Sequence, residues 1–232
     1  MDRLPDEPAR GPDRTLPYGP ATDQVIDRYD GSGTGLVVLV HGGFWKPAYD
    51  REHLRPMAAA LSDNGFEVSL VEYRRPESGR WPVISADIRA ALAHLGGVPA
   101  VIVGHSAGGQ LAVWSLHQPE GAGLVGAVSL AGCLDLRSAD HDGLGAGAVR
   151  ALFDGAPPSN ADPIRLPPRQ PVVAVHGDAD LDVPIEISRR YAQRTGARLV
   201  EIPDADHWPL ITPGTHAFDV TVDSIRTLFA RS

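Results

Sequence analysis

The five residues Gly104-His105-Ser106-Ala107-Gly108 carry the plainest chemical signal in this 232-residue chain. They follow an apolar run of strand length, 98–103, and open a segment of helical period, 107–117. Glycines two before and two after a serine permit a strand-to-helix turn so sharp that the serine takes a strained backbone. Such a turn lifts the Ser106 hydroxyl above a sheet and aims the N–H groups of the helix start at any charge developing there. Upstream, His41-Gly42-Gly43-Phe44-Trp45 ends an earlier apolar run, and its paired glycines let the backbone approach a substrate. Gly43 and Phe44, with the N–H of Ala107, are the expected oxyanion donors.

A serine nucleophile needs an acid and a base, each at the end of a later strand, in the order Ser, acid, His. The run 172–176 leads into Gly177-Asp178-Ala179-Asp180-Leu181-Asp182-Val183-Pro184. A calcium loop is excluded there, because Val183 stands where that loop needs glycine and Arg189 where it needs the bidentate glutamate. Asp180 is the expected acid, with Asp182 the second choice and Asp178 a cap of the turn. One strand later, Asp204-Ala205-Asp206-His207-Trp208 places His207 on a loop at the same edge, as the expected base. The other strand-edge histidines, His41, His105 and His176, read as packing or hydrogen-bonding residues. The nine histidines show no H-E-x-x-H or comparable spacing, so no metal site is expected.

The elements that position these residues alternate along the chain. Strands are expected at Leu36–Val40, Glu67–Val71, 98–103, Leu124–Leu130, 172–176 and Arg198–Ile202, with helices at 51–64, 84–95, 107–117, 185–194 and 215–230. Strict β/α alternation implies a parallel sheet covered by helices on both faces, with the strand C-termini gathered at one edge. Residues 1–17 read as a flexible leader, since proline and spaced charges leave little to bury. Residues 18–232 form the expected single domain. Within it, 134–168 lacks a clear period and is too long for an ordinary connection, so it is the expected lid or excursion.

These motifs resemble the α/β-hydrolase superfamily and, within it, the esterase and kynurenine-formamidase branch. The resemblance runs from Tyr18 onward and rests on YGPATDQVID at 18–27, HGGFW at 41–45, GHSAGG at 104–109, AGCLDL at 131–136, HGDADLDVP at 176–184 and DADHW at 204–208. It implies the α/β-hydrolase fold with a mostly parallel sheet and a short lid, and it puts the acid at the aspartate of H-G-x-x-D, which is Asp180. HGG followed by an aromatic and Trp looks like the formamidases rather than the HGGG lipases. The implied chemistry is acyl transfer on a small ester, as in a carboxylesterase. The alternatives are an arylformamidase acting on N-formylkynurenine and a catalytically silent fold used to bind a ligand. Phe44, Trp45, Trp81, Phe153 and Trp208 are the expected aromatic lining, with Trp45 and Trp208 as substrate contacts.

Composition bounds the rest. The formal charge is −8, from 21 basic and 29 acidic residues, which argues against nucleic acid or an anionic membrane as partner. No apolar stretch is long enough for a signal or a membrane span, so a cytoplasmic protein with a small-molecule substrate and no cofactor is expected. Cys133 is the one cysteine and Lys46 the one lysine. Lys46 follows the oxyanion segment, where it could meet a substrate carboxylate.

Overall fold

The computed structural model describes residues 10–33, 35–78, 80–167 and 169–231. Their strands form one eight-stranded sheet in the order β1-β2-β4-β3-β5-β6-β7-β8. Strands β3 (Leu36–Val40), β4 (Glu67–Val71), β5 (Ala100–His105), β6 (Leu124–Leu130), β7 (Val172–Gly177) and β8 (Arg198–Ile202) run parallel. All five residues of β3 are buried, as expected for a strand covered on both faces, which therefore reads as an unbroken apolar run rather than an alternation. Leu36, Val38 and Val40 face one core and Val37 and Leu39 the other.

Helices α1 (Arg55–Asp63) and α7 (His216–Phe229) close one face through Met57, Leu61, Phe218, Val222 and Ile225. Helices α2 (Arg80–His94), α3 (Ala107–Ser115), α4 (Leu136–His141), α5 (Leu144–Phe153) and α6 (Glu186–Thr195) close the other. Trp81 at the start of α2 packs edge-on to Trp114, with ring centres 5.0 Å apart, and against Phe153 at 5.2 Å. Each such aromatic pair adds about 0.5–1.5 kcal/mol beyond the area it buries.

Two sequence expectations need correction. Residues 14–17 of the expected leader are a strand: β1 (Arg14–Pro17) pairs antiparallel with β2 (Val25–Tyr29), which pairs antiparallel with β4. Ladder hydrogen bonds, together with Thr15 and Arg14 donating to Asp27 (2.7 Å) and Asp30 (2.6 Å), order a segment that buries almost nothing of its own. The remainder of the leader, residues 1–9, lies outside the described residues. The stretch 134–168, which shows no clear period in the sequence and is assigned no element there, carries α4 and α5. Gly145, Ala146 and Gly147 stand in the left-handed region (φ 60, 58 and 74°), and that break hides the helical period.

Candidate active site

Ser106 links β5 to α3 at φ 56° and ψ −120°, a conformation that costs a non-glycine residue about 1–3 kcal/mol. Its neighbours hold it there. The Ser106 N–H donates to Leu130 O (2.8 Å), while its carbonyl accepts from Gly109 (2.9 Å) and Cys133 (3.3 Å). The flanking glycines are needed for close backbone approach: a Cβ on Gly104 would sit 2.0 Å from Gly108 O, and one on Gly108 would sit 2.2 Å from Val40 O. The elbow is thus wedged directly against the end of β3.

The segment after β3 closes over the serine. A Cβ on Gly42 would lie 2.7 Å from His105 O and 2.9 Å from Ser106 Cβ. Gly43, Phe44 and Trp45 then take positive φ of 97, 50 and 55°, and the Lys46 N–H closes the turn on Gly43 O at 3.0 Å. Among the described residues, the N–H groups of Gly43, Phe44 and Ala107 have no hydrogen-bond acceptor. Three unspent donors beside a strained serine suit an incoming oxyanion. The Phe44 ring rests on α5, where a Cβ on Gly145 would come within 2.6 Å of it. Lys46 Nζ lies 5.8 Å from that ring's centre.

Trp45 departs from expectation. It is fully buried, and its indole N–H donates to Gln110 Oε1 at 3.2 Å. Gln110 in turn donates to Ala161 O at 3.0 Å, so the pair ties the turn to α3 and to the 134–167 excursion. Trp45 is therefore an anchor of the oxyanion segment rather than a substrate contact, because no surface of it is open to a ligand. Below it, His41 stacks on Tyr73 at 4.3 Å and lies 3.0 Å from Glu72 Oε1. Burial would raise the Glu72 carboxyl, but His41, Arg75 and the Arg51 N–H outweigh it and hold the group well below the carboxylate range.

Asp180 and His207, the expected acid and base, meet across two loops. Asp180 Oδ1 accepts from the N–H groups of Asp182 (2.8 Å) and Val183 (2.9 Å). Its Oδ2 lies 2.6 Å from His207 Nδ1 and 3.2 Å from His176 Nε2. Burial alone would raise the Asp180 carboxyl, yet the hydrogen bonds from His176, His207 and Val183 hold it far below the usual value. Asp178 Oδ1 accepts from the Asp204 N–H (2.7 Å), so this aspartate ties the loop after β7 to the loop after β8. The His207 carbonyl accepts from His105 Nε2 at 2.9 Å, which fastens His207 to the residue before Ser106. Trp208 is half-buried with its ring edge-on to His207 at 5.3 Å. Asp180, Asp182 and His207 also offer three potential metal-ligand atoms within 4.8 Å of one another. Asp180 already accepts from two backbone N–H groups and faces two imidazoles, so this set serves a carboxylate–imidazole pair better than a cation.

Ser106 and His207 are 2% and 4% exposed, and no hydrogen bond joins Ser106 Oγ to His207 Nε2. Such contacts are commonly loose before substrate binds. Gln110 escaped the sequence reading, since it carries no motif signal, whereas His176, read there as a packing or hydrogen-bonding residue, stands in H-G-x-x-D four residues before Asp180 and bonds to Ser188 and Val183. A cavity of about 400 Å³ bounded by Leu16, Leu36, Glu67 and Val98 lies at the opposite sheet edge and shares no residue with the site.

The BD-FAE family model matches residues 25–120, which take in the oxyanion segment and the elbow but neither Asp180 nor His207. Comparison with curated proteins found no match. Among solved structures, a candidate thioesterase from a Silicibacter species matches with a TM-score of 0.71 at 25% identity, over 96% of this chain and 86% of that one. A thermophilic esterase from the planctomycete Thermogutta terrifontis matches with a TM-score of 0.73 at 19% identity, over 94% and 91% of the two chains. A truncated carbohydrate esterase from gut microbiota gives 0.76 at 17% identity, over 95% and 100%. Sheet order, helical layers and these likenesses identify the fold as the α/β-hydrolase fold.

Proposed function

We propose that this chain is a serine hydrolase that cleaves small acyl esters through Ser106, His207 and Asp180. The observation that carries the reading is the 2.6 Å Asp180–His207 contact, fastened through His105 to the strained Ser106 beside three unspent N–H groups. His207 Nε2 takes the hydroxyl proton as Ser106 Oγ attacks the ester carbonyl. The N–H groups of Gly43, Phe44 and Ala107 bind the resulting oxyanion. Collapse expels the alcohol, which His207 protonates, and water then releases the acid by the same route. Asp180 keeps the imidazole proton on Nδ1 and stabilises the imidazolium.

Residues 134–167 serve as the lid of a single domain that takes in β1 from Arg14. The contact of Phe44 with α5 narrows the space beside the serine and favours short acyl groups. The Thermogutta esterase supports this by likeness: its structures include propionate-bound, butyrate-bound and sarin-phosphonylated forms. Among the described residues no helix is long and apolar enough to cross a membrane, and the lone buried Cys133 suits a reducing cytoplasm.

Ser106→Ala tests the reading. Turnover of p-nitrophenyl butyrate should fall by about four to six decades with Tm nearly unchanged, and a variant that keeps wild-type turnover refutes the assignment. One observation favours a second substrate. N-formylkynurenine carries a carboxylate, and the Lys46 ammonium stands over Phe44 with no carboxylate paired to it among the described residues. Side-by-side turnover of that formamide and of short esters separates arylformamidase from carboxylesterase. No turnover together with no fluorophosphonate labelling leaves the silent ligand-binding fold.

A further inference from the structure

We propose that His176 is a positioning residue for the acid, one that shares Asp180 Oδ2 with His207 and tempers the pull of that oxygen on the His207 proton. The inference rests on the assignment of Asp180 and His207 as acid and base, and it concerns how that pair is tuned.

His176 lies near the end of β7 and is fully buried. Its Nε2 stands 2.8 Å from Val183 O and 3.2 Å from Asp180 Oδ2, and its Nδ1 2.7 Å from Ser188 Oγ on α6. A carbonyl oxygen only accepts, so the proton is on Nε2, and Nδ1 is free to take the Ser188 hydroxyl proton. The ring is thereby held from two elements, with one N–H divided between the acid and the loop that carries it. An aliphatic side chain would fill the same volume. It would also leave Asp180 Oδ2 with His207 as its sole side-chain donor and Val183 O without its imidazole donor.

The chemical effect follows from sharing. A hydrogen bond to a carboxylate oxygen draws charge from it and lowers its affinity for a second proton. With His176 in place, Asp180 orients His207 yet attracts its proton less. Other groups face the ring too. Glu201 is its partner on β8, with a carboxylate held by Arg189 at 2.9 and 2.6 Å, while Ser188 covers it from α6. Beyond Asp180 stand His207, Asp182 and the Cys133 thiol, which burial and the Asp180 charge push up to about 12. None of these offers Asp180 Oδ2 a replacement side-chain donor.

The test is the pH profile of kcat/KM for p-nitrophenyl acetate in wild type, His176→Leu and His176→Gln. In His176→Leu the acid limb should move up by about half to one pH unit, with kcat down about tenfold and KM unchanged. His176→Gln restores an N–H donor of similar reach and should return the limb to the wild-type position. If His176→Leu does not fold, His176→Asn replaces it, since its shorter amide stops short of Asp180 and should give the same upward shift. A folded His176→Leu or His176→Asn with the wild-type limb overturns the proposal, as does His176→Gln behaving like the leucine variant. Activity surviving Ser106→Ala overturns this proposal together with the triad reading, whereas an unmoved limb with Ser106→Ala inactive overturns this one alone.

Discussion

Gly108 shows how little room the nucleophile turn has. A methyl group there would meet Val40 O at 2.2 Å and His41 O at 2.6 Å, both main-chain atoms that no rotamer change can move. Gly108→Ala should cost about 1–3 kcal/mol in urea denaturation and also lower kcat, because relief of the clash displaces the oxyanion segment from Ser106. Residue by residue, the sharp turns were largely legible, since the motifs that bend the chain are constrained by local geometry. Ser106 at a positive φ and the Asp180–His207 contact stand where spacing put them. Trp45 was misread because an aromatic after two glycines looks the same whether it faces a pocket or the core. Its partner Gln110 is 65 positions away and invisible to any local pattern.

At the level of elements, the excursion bears a pH-dependent weakness. Asp162 is fully buried, with Oδ1 accepting from the Leu136 N–H at 3.0 Å and Oδ2 without a partner. Burial is the main cause that lifts its carboxyl to about 6. A raised carboxyl pKa penalises the fold once the group must ionise. The penalty is absent below about pH 4, grows between 4 and 6 and is complete above 6. Asp162→Asn should therefore match wild type near pH 4 and exceed it by about 1–2 kcal/mol above pH 6 in thermal melts. A constant offset across that range would contradict this account. Long apolar runs announced β3 and its parallel neighbours, which owe their stability to burial. Strands β1 and β2 escaped notice because edge pairing, rather than burial of β1, orders them. Helices α4 and α5 escaped because Gly143, Gly145 and Gly147 interrupt the spacing on which periodicity depends.

For the molecule as a whole, the buried carboxylates and imidazoles set the response to acid. Glu72 and Asp180 are held below their unfolded values by partners that outweigh burial. Their contribution is present above the unfolded carboxylate range near pH 4 and is lost as pH falls toward the lowered folded values. Asp162 works in the opposite sense between pH 4 and 6, and the −8 charge also repels less as pH falls. Burial also lowers the His53 imidazole to about 4 and holds His105 well below its ordinary value, so their contribution is present above about pH 6.5 and is lost as pH falls. Urea midpoints should thus peak at about pH 6.5–7 and drop steeply below 4, and a maximum at pH 5 or below would show that Asp162 dominates. Alternation along the chain indicated a two-faced parallel sheet. The order β4-β3-β5, which sets Gly42 against Ser106, arises from crossovers between distant segments and had no local signature.

Lys46 has one further consequence, for spectroscopy. The chain offers a single side-chain amine, on the same tight turn as Gly43 and Phe44 and half-shielded above the Phe44 ring. An amine-reactive dye, applied where the α-amino group is blocked, would therefore attach at one place only. Its emission would report the surroundings of the Phe44 ring where it meets α5, giving an optical gauge of that contact that needs no introduced residue.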